Sequence, residues 1–232
     1  MNKPNRKLGV LGGMGPKATL YFLELLLKRS PAQIDQEHIH TIVDINTSIP
    51  DRTSAILSND IKEVSTAIKR SVHRLKSADA DFYVAPCNTV HYFLDALTAD
   101  PDVPFFNLIE ETAKVIQSSG VKKVGLLATL GTVKSRLYQT YFENIGIETI
   151  EPSNQEQDQL MHIIFEIVKK GKSPKSAVAQ LEAIMESYRA QGAEKIILGC
   201  TELPIVSEFI ENDMLLDPLD VLADICIKYA YS

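Results

Sequence analysis

Two cysteines of the 232-residue chain stand in similar surroundings and could act as a pair. Cys87 begins the sequence Cys-Asn-Thr and Cys200 begins the sequence Cys-Thr-Glu, so each thiol is followed by small or polar side chains. A thiolate can remove a proton from a carbon atom, and a thiol can deliver one. If the two thiols face opposite sides of one carbon, one can remove its proton while the other supplies a proton to the opposite face. That combination inverts the configuration of the carbon.

Both cysteines follow short apolar runs, residues 81–85 and 195–199, which are typical of strands buried on both faces. In open parallel sheets, ligands bind at the carboxyl ends of the strands. A helix that begins there offers free N–H groups and the positive end of its dipole, and both lower the pKa of a nearby thiol. The polar residues after each cysteine can cap such a helix and bind a carboxylate. The sequence therefore predicts an anion-binding site with two thiols at the sheet edge.

A single cysteine near the end of a strand is more often a small buried hydrophobic residue. Cys226 fits that interpretation because it lies on the apolar face of the helix predicted over residues 218–230. For Cys87 and Cys200, the repeated context favours chemistry over packing. His91 is the only histidine close to either cysteine in the sequence, and no Cys-x-x-Cys pattern occurs, so we predict no metal site.

Short apolar runs alternate with longer amphipathic ones along the chain. The predicted strands are residues 7–12, 40–46, 81–85, 104–108, 123–129, 148–151, 195–199 and 214–217. The predicted helices are residues 16–29, 59–77, 89–97, 109–118, 133–144, 155–170, 174–191 and 218–230. Alternation of this kind predicts an α/β fold of parallel sheets flanked by helices.

An internal repeat divides the chain into two halves. Residues 7–11 align with 123–127 at an offset of 116, and residues 81–89 align with 194–202 at an offset of 113. We therefore predict two similar parallel-sheet domains, flavodoxin-like or Rossmann-like, related by a pseudo-two-fold axis with the active site in the cleft between them. The first domain would comprise residues 1–108 with the helix of 218–232 packed back onto it, and the second would comprise residues 109–217.

The composition excludes several classes of protein. The net charge is −6, from 24 basic and 30 acidic residues, so the chain is not built to hold nucleic acid electrostatically. It has no run of about 18 apolar residues, and no apolar core of a signal peptide follows the basic amino terminus, so we predict no membrane partner. Three cysteines far apart in the sequence argue against a disulfide framework and favour the reducing cytoplasm.

Motifs along nearly the whole chain are those of one known family. They are Leu11-Gly-Gly-Met-Gly-Pro16 with Ala18-Thr19, Pro50-Asp-Arg52, Pro86-Cys-Asn-Thr-Val-His91, Ala128-Thr-Leu-Gly-Thr132 and Leu198-Gly-Cys-Thr-Glu-Leu-Pro204. Over roughly residues 6–230, the sequence resembles the aspartate/glutamate racemases, which are PLP-independent enzymes with two cysteines. Cell-wall glutamate racemases usually carry an acidic residue and a histidine where this chain has Met14 and Glu202. Aspartate racemase is therefore the closer resemblance.

The resemblance implies the reaction and its requirements. Cys87 and Cys200 would be the acid/base pair that interconverts L- and D-aspartate, with glutamate as the next candidate substrate. Neither a cofactor nor a metal would be required. The resemblance also implies a homodimer whose small-molecule partner is an acidic amino acid.

The resemblance further implies which residues bind the substrate. Asn88, Thr89 and Thr201 would hold the region of the α-carboxylate. Arg52 and Lys169 would bind carboxylate groups. The other pocket residues implied are Met14, Thr129, Thr132 and Glu202.

The residues alone leave some of these roles open. Arg52 follows the second predicted strand at the same sheet edge as Cys87, and its planar guanidinium suits a carboxylate. Lys169, taken by itself, is a charge that stabilises the end of a helix. Glu202 could orient a group near Cys200 or only complement a helix dipole.

Other functions remain as alternatives. Within the same superfamily they are a hydantoin racemase or a decarboxylase, and outside it a non-catalytic protein that binds small molecules on this scaffold. Residues 13–18 also fit the dinucleotide-binding pattern G-x-G-x-x-A of a nucleotide-dependent oxidoreductase. Pro16 weakens that interpretation because it removes an N–H group that a phosphate would need.

Overall fold

The first half of the chain is built on a parallel sheet whose central strand is fully buried. In the computed structural model, which describes residues 3–232, β1 (Leu8–Gly12) lies between β2 (Thr41–Ile45) and β3 (Phe82–Val84). All residues of β1 and β3 are buried, as expected for strands covered on both faces. The edge strand β2 is largely half-buried.

The sheet of the second half repeats this order. β4 (Lys123–Ala128) lies between β5 (Glu148–Ile150) and β6 (Lys195–Gly199), and β7 (Leu215–Leu216) pairs with the outer side of β6. These pairings are also parallel. The order β2-β1-β3 therefore matches β5-β4-β6, and the predicted α/β fold of two similar parallel-sheet halves is confirmed.

Helices connect the strands in both halves. Those of the first half are α1 (Pro16–Arg29), a 3-10 turn (Asp35–Glu37), α2 (Arg52–Ser58), α3 (Lys62–Ser77), a 3-10 turn (Thr89–Phe93) and α4 (Leu94–Leu97). Those of the second half are α5 (Leu108–Ser119), α6 (Leu130–Lys134), α7 (Leu137–Asn144), α8 (Asn154–Met161), a π-helix (His162–Val168), a 3-10 turn (Pro174–Ala177), α9 (Val178–Ala190), α10 (Pro204–Ser207) and α11 (Pro218–Ala230). Within residues 3–232, no helix combines the length and apolar character needed to cross a membrane.

Some predicted elements differ in the structure. Residues 104–108, predicted as a strand, form only an isolated bridge between Tyr83 and Phe105. The reason is local: the Asn107 side chain accepts hydrogen bonds from the first turn of α5 and so starts a helix there. The sequence analysis also misses α2, a short helix that begins behind its N-cap Asp51.

The helix α11 packs on the first half although it follows the second half in sequence. Leu219, Leu222 and Cys226 belong to one apolar cluster with Leu8 and Phe82 of the first sheet. Because its buried face completes this cluster, we propose that residues 218–232 belong to the first domain with the residues up to 108, and that residues 109–217 form the second.

The turn between β1 and α1 brings the end of β1 close to the end of β2. Gly13 has a φ of 91°, in the left-handed region that favours glycine. A Cβ built on Gly13 would lie 2.6 Å from the carbonyl carbon of Asn46, so a side chain would push into backbone. The Gly13 N–H also donates to Thr19 Oγ1 at 3.0 Å. The close turn therefore requires glycine and directs the next residues towards the cleft.

Replacing Gly13 by alanine should destabilise the fold more than the same change at Gly120. Both residues have positive φ, 91° and 78°, which costs an L residue about 1–2 kcal/mol. Gly13→Ala adds the contact with the Asn46 backbone, whereas no atom of the described residues lies within 4 Å of a Cβ at Gly120. In urea unfolding, we expect Gly120→Ala to lose about 1 kcal/mol and Gly13→Ala at least about twice as much. Equal losses would contradict this account of the turn.

Candidate active site

Cys87 and Cys200 line the same cavity between the two halves. Cys87 lies just beyond β3 and Cys200 directly after β6, so each is at the carboxyl end of a strand of its own sheet. Each side chain is 5% exposed. The cavity itself is narrow, with a volume of about 10 Å³. Its lining consists of Met14, Asp51, Arg52, Thr53, Cys87, Asn88, Thr89, Thr129, Phe165, Lys169, Cys200, Thr201 and Glu202.

All the predicted site residues except Thr132 line this inner cavity. Thr132 lies directly behind it, because its hydroxyl is 2.9 Å from that of Thr89 and 3.1 Å from that of Thr129. The hydroxyls of Thr89 and Thr129 are also 3.1 Å apart. The three threonines thus form a buried network that joins the loop after Cys87 to the start of α6 in the other half.

Neither thiol lies at the start of a long helix, and the pKa of each is raised and not lowered as the sequence predicts. A short 3-10 turn follows Cys87, and the four-residue helix α10 begins four residues after Cys200. Burial raises the pKa of Cys87, against the lowering effect of the nearby Arg52 guanidinium. Burial raises the pKa of Cys200 well above its ordinary value, and the Glu202 carboxylate raises it further. The predicted lowering of the thiol pKa is wrong because loss of water around the thiolate outweighs the favourable charges.

Glu202 is in direct contact with one thiol only. The Cys200 Sγ donates a hydrogen bond to Glu202 Oε2 at 3.1 Å. Lys169 lies on the other side of this carboxylate, with its Nζ 3.9 Å from Oε1. The pair of thiols is therefore unsymmetrical, with a carboxylate beside Cys200 and a guanidinium nearer Cys87.

Arg52 is held rigidly by backbone carbonyls. It begins α2, is 8% exposed, and its Nη1 donates to Pro50 O at 3.0 Å. Its Nη2 donates to the carbonyl of Met14 at 3.3 Å. Because both terminal nitrogens donate to backbone carbonyls, the position of the guanidinium in the cavity wall is restrained.

The π-helix brings two side chains to the cavity wall. The Lys169 N–H donates to Ile164 O at 3.0 Å, a spacing of five residues. The Lys169 ammonium lies 4.2 Å from the centre of the Phe165 ring. Lys170 instead pairs with Glu166 at the surface. Of the two neighbouring lysines, the structure therefore places Lys169 at the cavity, and π-helical turns of this kind are frequent at functional sites.

His91 holds the backbone of the Cys87 loop. Its Nε2 accepts a hydrogen bond from the Leu108 N–H at 3.1 Å. Its Nδ1 therefore carries the proton and donates to the Cys87 carbonyl at 2.8 Å. Burial lowers the pKa of His91 to about 4, so the ring is neutral near pH 7. This role could not be predicted from the sequence alone, because it depends on a tertiary contact with Leu108, 17 residues further along the chain.

Several polar atoms of the cavity wall make no hydrogen bond within the described part of the protein. Among the described residues, the buried atoms without a hydrogen bond include Arg52 Nε, Asn88 Nδ2 and Glu202 Oε1, all from residues that line the inner cavity. Asn88 is oriented by Tyr138, whose hydroxyl donates to Asn88 Oδ1 at 2.5 Å. The site thus offers two donors and one acceptor. Buried polar atoms are normally paired, so these three atoms are available to hydrogen-bond a polar ligand.

An outer pocket of about 590 Å³ adjoins the inner cavity. The two share Asp51, Arg52, Phe165, Lys169 and Glu202 in their linings.

Three residues of the inner cavity were not predicted from the sequence, namely Asp51, Thr53 and Phe165. The outer pocket adds a fourth, Lys17. Asp51 could have been predicted from the sequence, because it belongs to the Pro-Asp-Arg motif. Phe165 could not have been predicted, because nothing in the sequence distinguishes it from the other apolar residues of its helix. Across residues 3–232, no group of three or more His, Cys, Asp or Glu side chains could hold a metal ion.

Alkylation at a series of pH values should separate the thiols. The rate follows the thiolate fraction, and Cys87 and Cys200 are equally exposed. Because Arg52 opposes the raised pKa of Cys87 while Glu202 adds to that of Cys200, Cys87 should react with iodoacetamide at a lower pH than Cys200. The fully buried Cys226 should stay unmodified in the folded protein. Peptide mass spectrometry measures each rate, and faster reaction of Cys200 at every pH would contradict the charge assignment.

Known proteins resemble this chain over most of its length. The profile of the Asp/Glu/hydantoin racemase family matches residues 11–226. The broad specificity amino-acid racemase RacX of Bacillus subtilis is 28% identical over 211 residues, which are 89% of this chain and 90% of that protein. The structure of the aspartate racemase of Picrophilus torridus is 34% identical with a TM-score of 0.86, and the match covers 97% of this chain and 94% of that one. The glutamate racemase of Francisella tularensis, at 20% identity, shares the fold with a TM-score of 0.69 over 97% of this chain and 80% of that one.

Proposed function

The chain belongs to the Asp/Glu/hydantoin racemase family of enzymes, and on this basis we propose that it interconverts L- and D-aspartate, with glutamate as the second candidate substrate. The observation that carries the proposal is the placement of Cys87 and Cys200 in one cavity, each from a different half. The relative named aspartate racemase, 34% identical over nearly the whole chain, supports aspartate.

The proposed mechanism uses one thiol on each face of the substrate. The thiolate of one cysteine removes the α-proton, while the thiol of the other delivers its own proton to the opposite face of the same carbon. The first cysteine ends protonated and the second ends as a thiolate, so the reaction conserves protons and runs equally well in reverse. Neither cysteine is consumed, and no cofactor is required by this sequence of transfers.

Burial of the thiols affects the proton transfer in two opposite ways. The α-hydrogen of an amino acid is far less acidic than a thiol. A raised thiol pKa makes the thiolate a stronger base and so reduces this mismatch. The same shift lowers the fraction of thiolate near pH 7. We propose that a bound substrate is therefore deprotonated by a scarce but strongly basic thiolate.

The negative charge that develops on the substrate must be stabilised within the cavity. We propose that Asn88, Thr89 and Thr201 bind the α-carboxylate, and the unpaired Asn88 Nδ2 supports this assignment. Arg52 and Lys169 provide positive charge for carboxylate groups. Donors that are already fixed before the reaction stabilise such charge with little reorganisation. Met14, Thr129 and Thr132 would shape the remaining wall.

The rest of the proposal depends on the family resemblance. It comprises a cytoplasmic enzyme that requires no cofactor and assembles as a homodimer. Sedimentation equilibrium of the purified protein measures its mass in solution and so tests the dimer directly.

Removal of either thiol should stop racemisation. A positioned acid or base contributes about a hundredfold to ten-thousandfold to a rate, so Cys87→Ala and Cys200→Ala should each lower D-aspartate formation from L-aspartate by at least about a hundredfold. Cys226→Ala, the matched control in the apolar cluster of the first half, should retain turnover. The measurement is proton NMR with L-aspartate or L-glutamate in D₂O under reducing conditions, combined with chiral chromatography.

Chiral analysis is the decisive part of that measurement. A single remaining thiolate can still exchange the α-proton of the enantiomer it faces, which removes the proton signal without inversion. Normal D-aspartate formation by a folded Cys87→Ala or Cys200→Ala protein would refute the two-thiol mechanism. If the unmodified protein exchanges neither aspartate nor glutamate, the proposed substrates are wrong.

A further inference from the structure

One carboxylate oxygen of Glu202 receives no hydrogen bond from the described residues. The side chain is 4% exposed. Its Oε2 accepts hydrogen bonds from Cys200 Sγ at 3.1 Å and from Thr201 Oγ1 at 3.4 Å. Its Oε1 accepts none from the described residues. The Lys169 ammonium is 3.9 Å from Oε1, which is too far for a hydrogen bond. A buried anionic oxygen without a donor is costly, so its retention indicates a ligand.

The space in front of this oxygen is open. A Cβ built on Gly15 would lie 3.1 Å from Glu202 Oε1 and would crowd it. The absence of a side chain at Gly15 therefore leaves room for a donor group to approach the oxygen. Glu202 also belongs to the linings of both the inner cavity and the outer pocket, so a ligand that enters through the outer pocket can reach it.

The other carboxylate of the cavity, that of Asp51, is only half-buried. Asp51 Oδ1 accepts hydrogen bonds from the backbone N–H and the hydroxyl of Ser54 as the N-cap of α2. The unpaired groups on the remaining wall, Arg52 Nε and Asn88 Nδ2, are donors. One unpaired acceptor and separate unpaired donors match a zwitterion, which presents a cationic group and an anionic group at the same time.

We propose that Glu202 Oε1 accepts a hydrogen bond from the α-ammonium group of the substrate and thereby restricts the enzyme to amino acids whose amino group is free. The inference rests on the proposed function and narrows its substrate class. Hydantoins, N-acyl amino acids and arylmalonates carry no ammonium group. Bound in this cavity, they would leave a buried carboxylate facing a neutral or anionic group, which disfavours them.

The experiment compares two ligands that differ only in the ammonium group. L-aspartate and succinate have the same carbon chain and the same two carboxylates. Isothermal titration calorimetry measures the affinity of each for the whole protein and for two variants. Glu202→Gln removes the charge of the acceptor and keeps its shape. Glu208→Gln makes the same substitution at an exposed position six residues further on and serves as the control.

A hydrogen bond to a charged group contributes enough for a preference of roughly tenfold to a hundredfold. The unmodified protein and Glu208→Gln should therefore bind aspartate more tightly than succinate by that factor. In Glu202→Gln the preference should disappear, with aspartate weakened and succinate unchanged or strengthened. Equal weakening of both ligands, or an undiminished preference in Glu202→Gln, would overturn the proposal.

Circular dichroism shows whether Glu202→Gln folds. If it does not, the affinities of the unmodified protein for aspartate and succinate still test the proposal. Equal affinity for aspartate and succinate refutes the ammonium contact even if NMR shows racemisation. A preference for aspartate without any α-proton exchange refutes the proposed reaction and leaves the contact intact. Failure to bind either acid refutes both.

Discussion

Exclusion of water from the cleft between the two sheets is the constraint on which the rest of the site depends. It raises the pKa of both thiols, and it makes each charged group in the wall dependent on a protein partner. Arg52 meets that requirement through the carbonyls of its own loop and of Met14. Electrostatic interactions are stronger in such surroundings than in water. A few well-placed groups can therefore control the protonation of two thiols in this cavity.

The internal repeat creates the pair of thiols, and the differences between its halves make the two thiols unlike. In the aligned sequences Cys-Asn-Thr and Cys-Thr-Glu, Thr89 occupies the position that Glu202 occupies in the second half. Thr89 joins a network of neutral hydroxyls, whereas Glu202 contacts the thiol of Cys200. The symmetric fold thus supplies two opposed positions for acid/base groups. The difference between Thr89 and Glu202 within the repeat places a carboxylate beside Cys200 and a neutral hydroxyl at the equivalent position after Cys87.

The sequence was sufficient to predict the fold and the juxtaposition of the two cysteines, because both depend on regular patterns. Apolar runs identify β1 and β4, and the repeat of cysteine motifs places Cys87 and Cys200 at equivalent strand ends. The direction of the thiol pKa shifts could not be predicted, since it depends on how completely the cavity excludes water. Nor could the contribution of Phe165 be predicted, because it depends on a π-helix that apolar periodicity does not distinguish from an α-helix. The link from His91 to Leu108 is likewise a tertiary contact.

The position of α11 has a consequence for the order in which the protein can fold during synthesis. Leu219, Leu222 and Cys226 cover apolar residues of the first sheet, yet a ribosome delivers residues 109–217 before it delivers them. The second half can therefore complete its core while the first half still exposes part of its own. Folding of the first half can therefore be completed only after α11 has left the ribosome, and until then the nascent chain presents an apolar surface that includes Leu8 and Phe82.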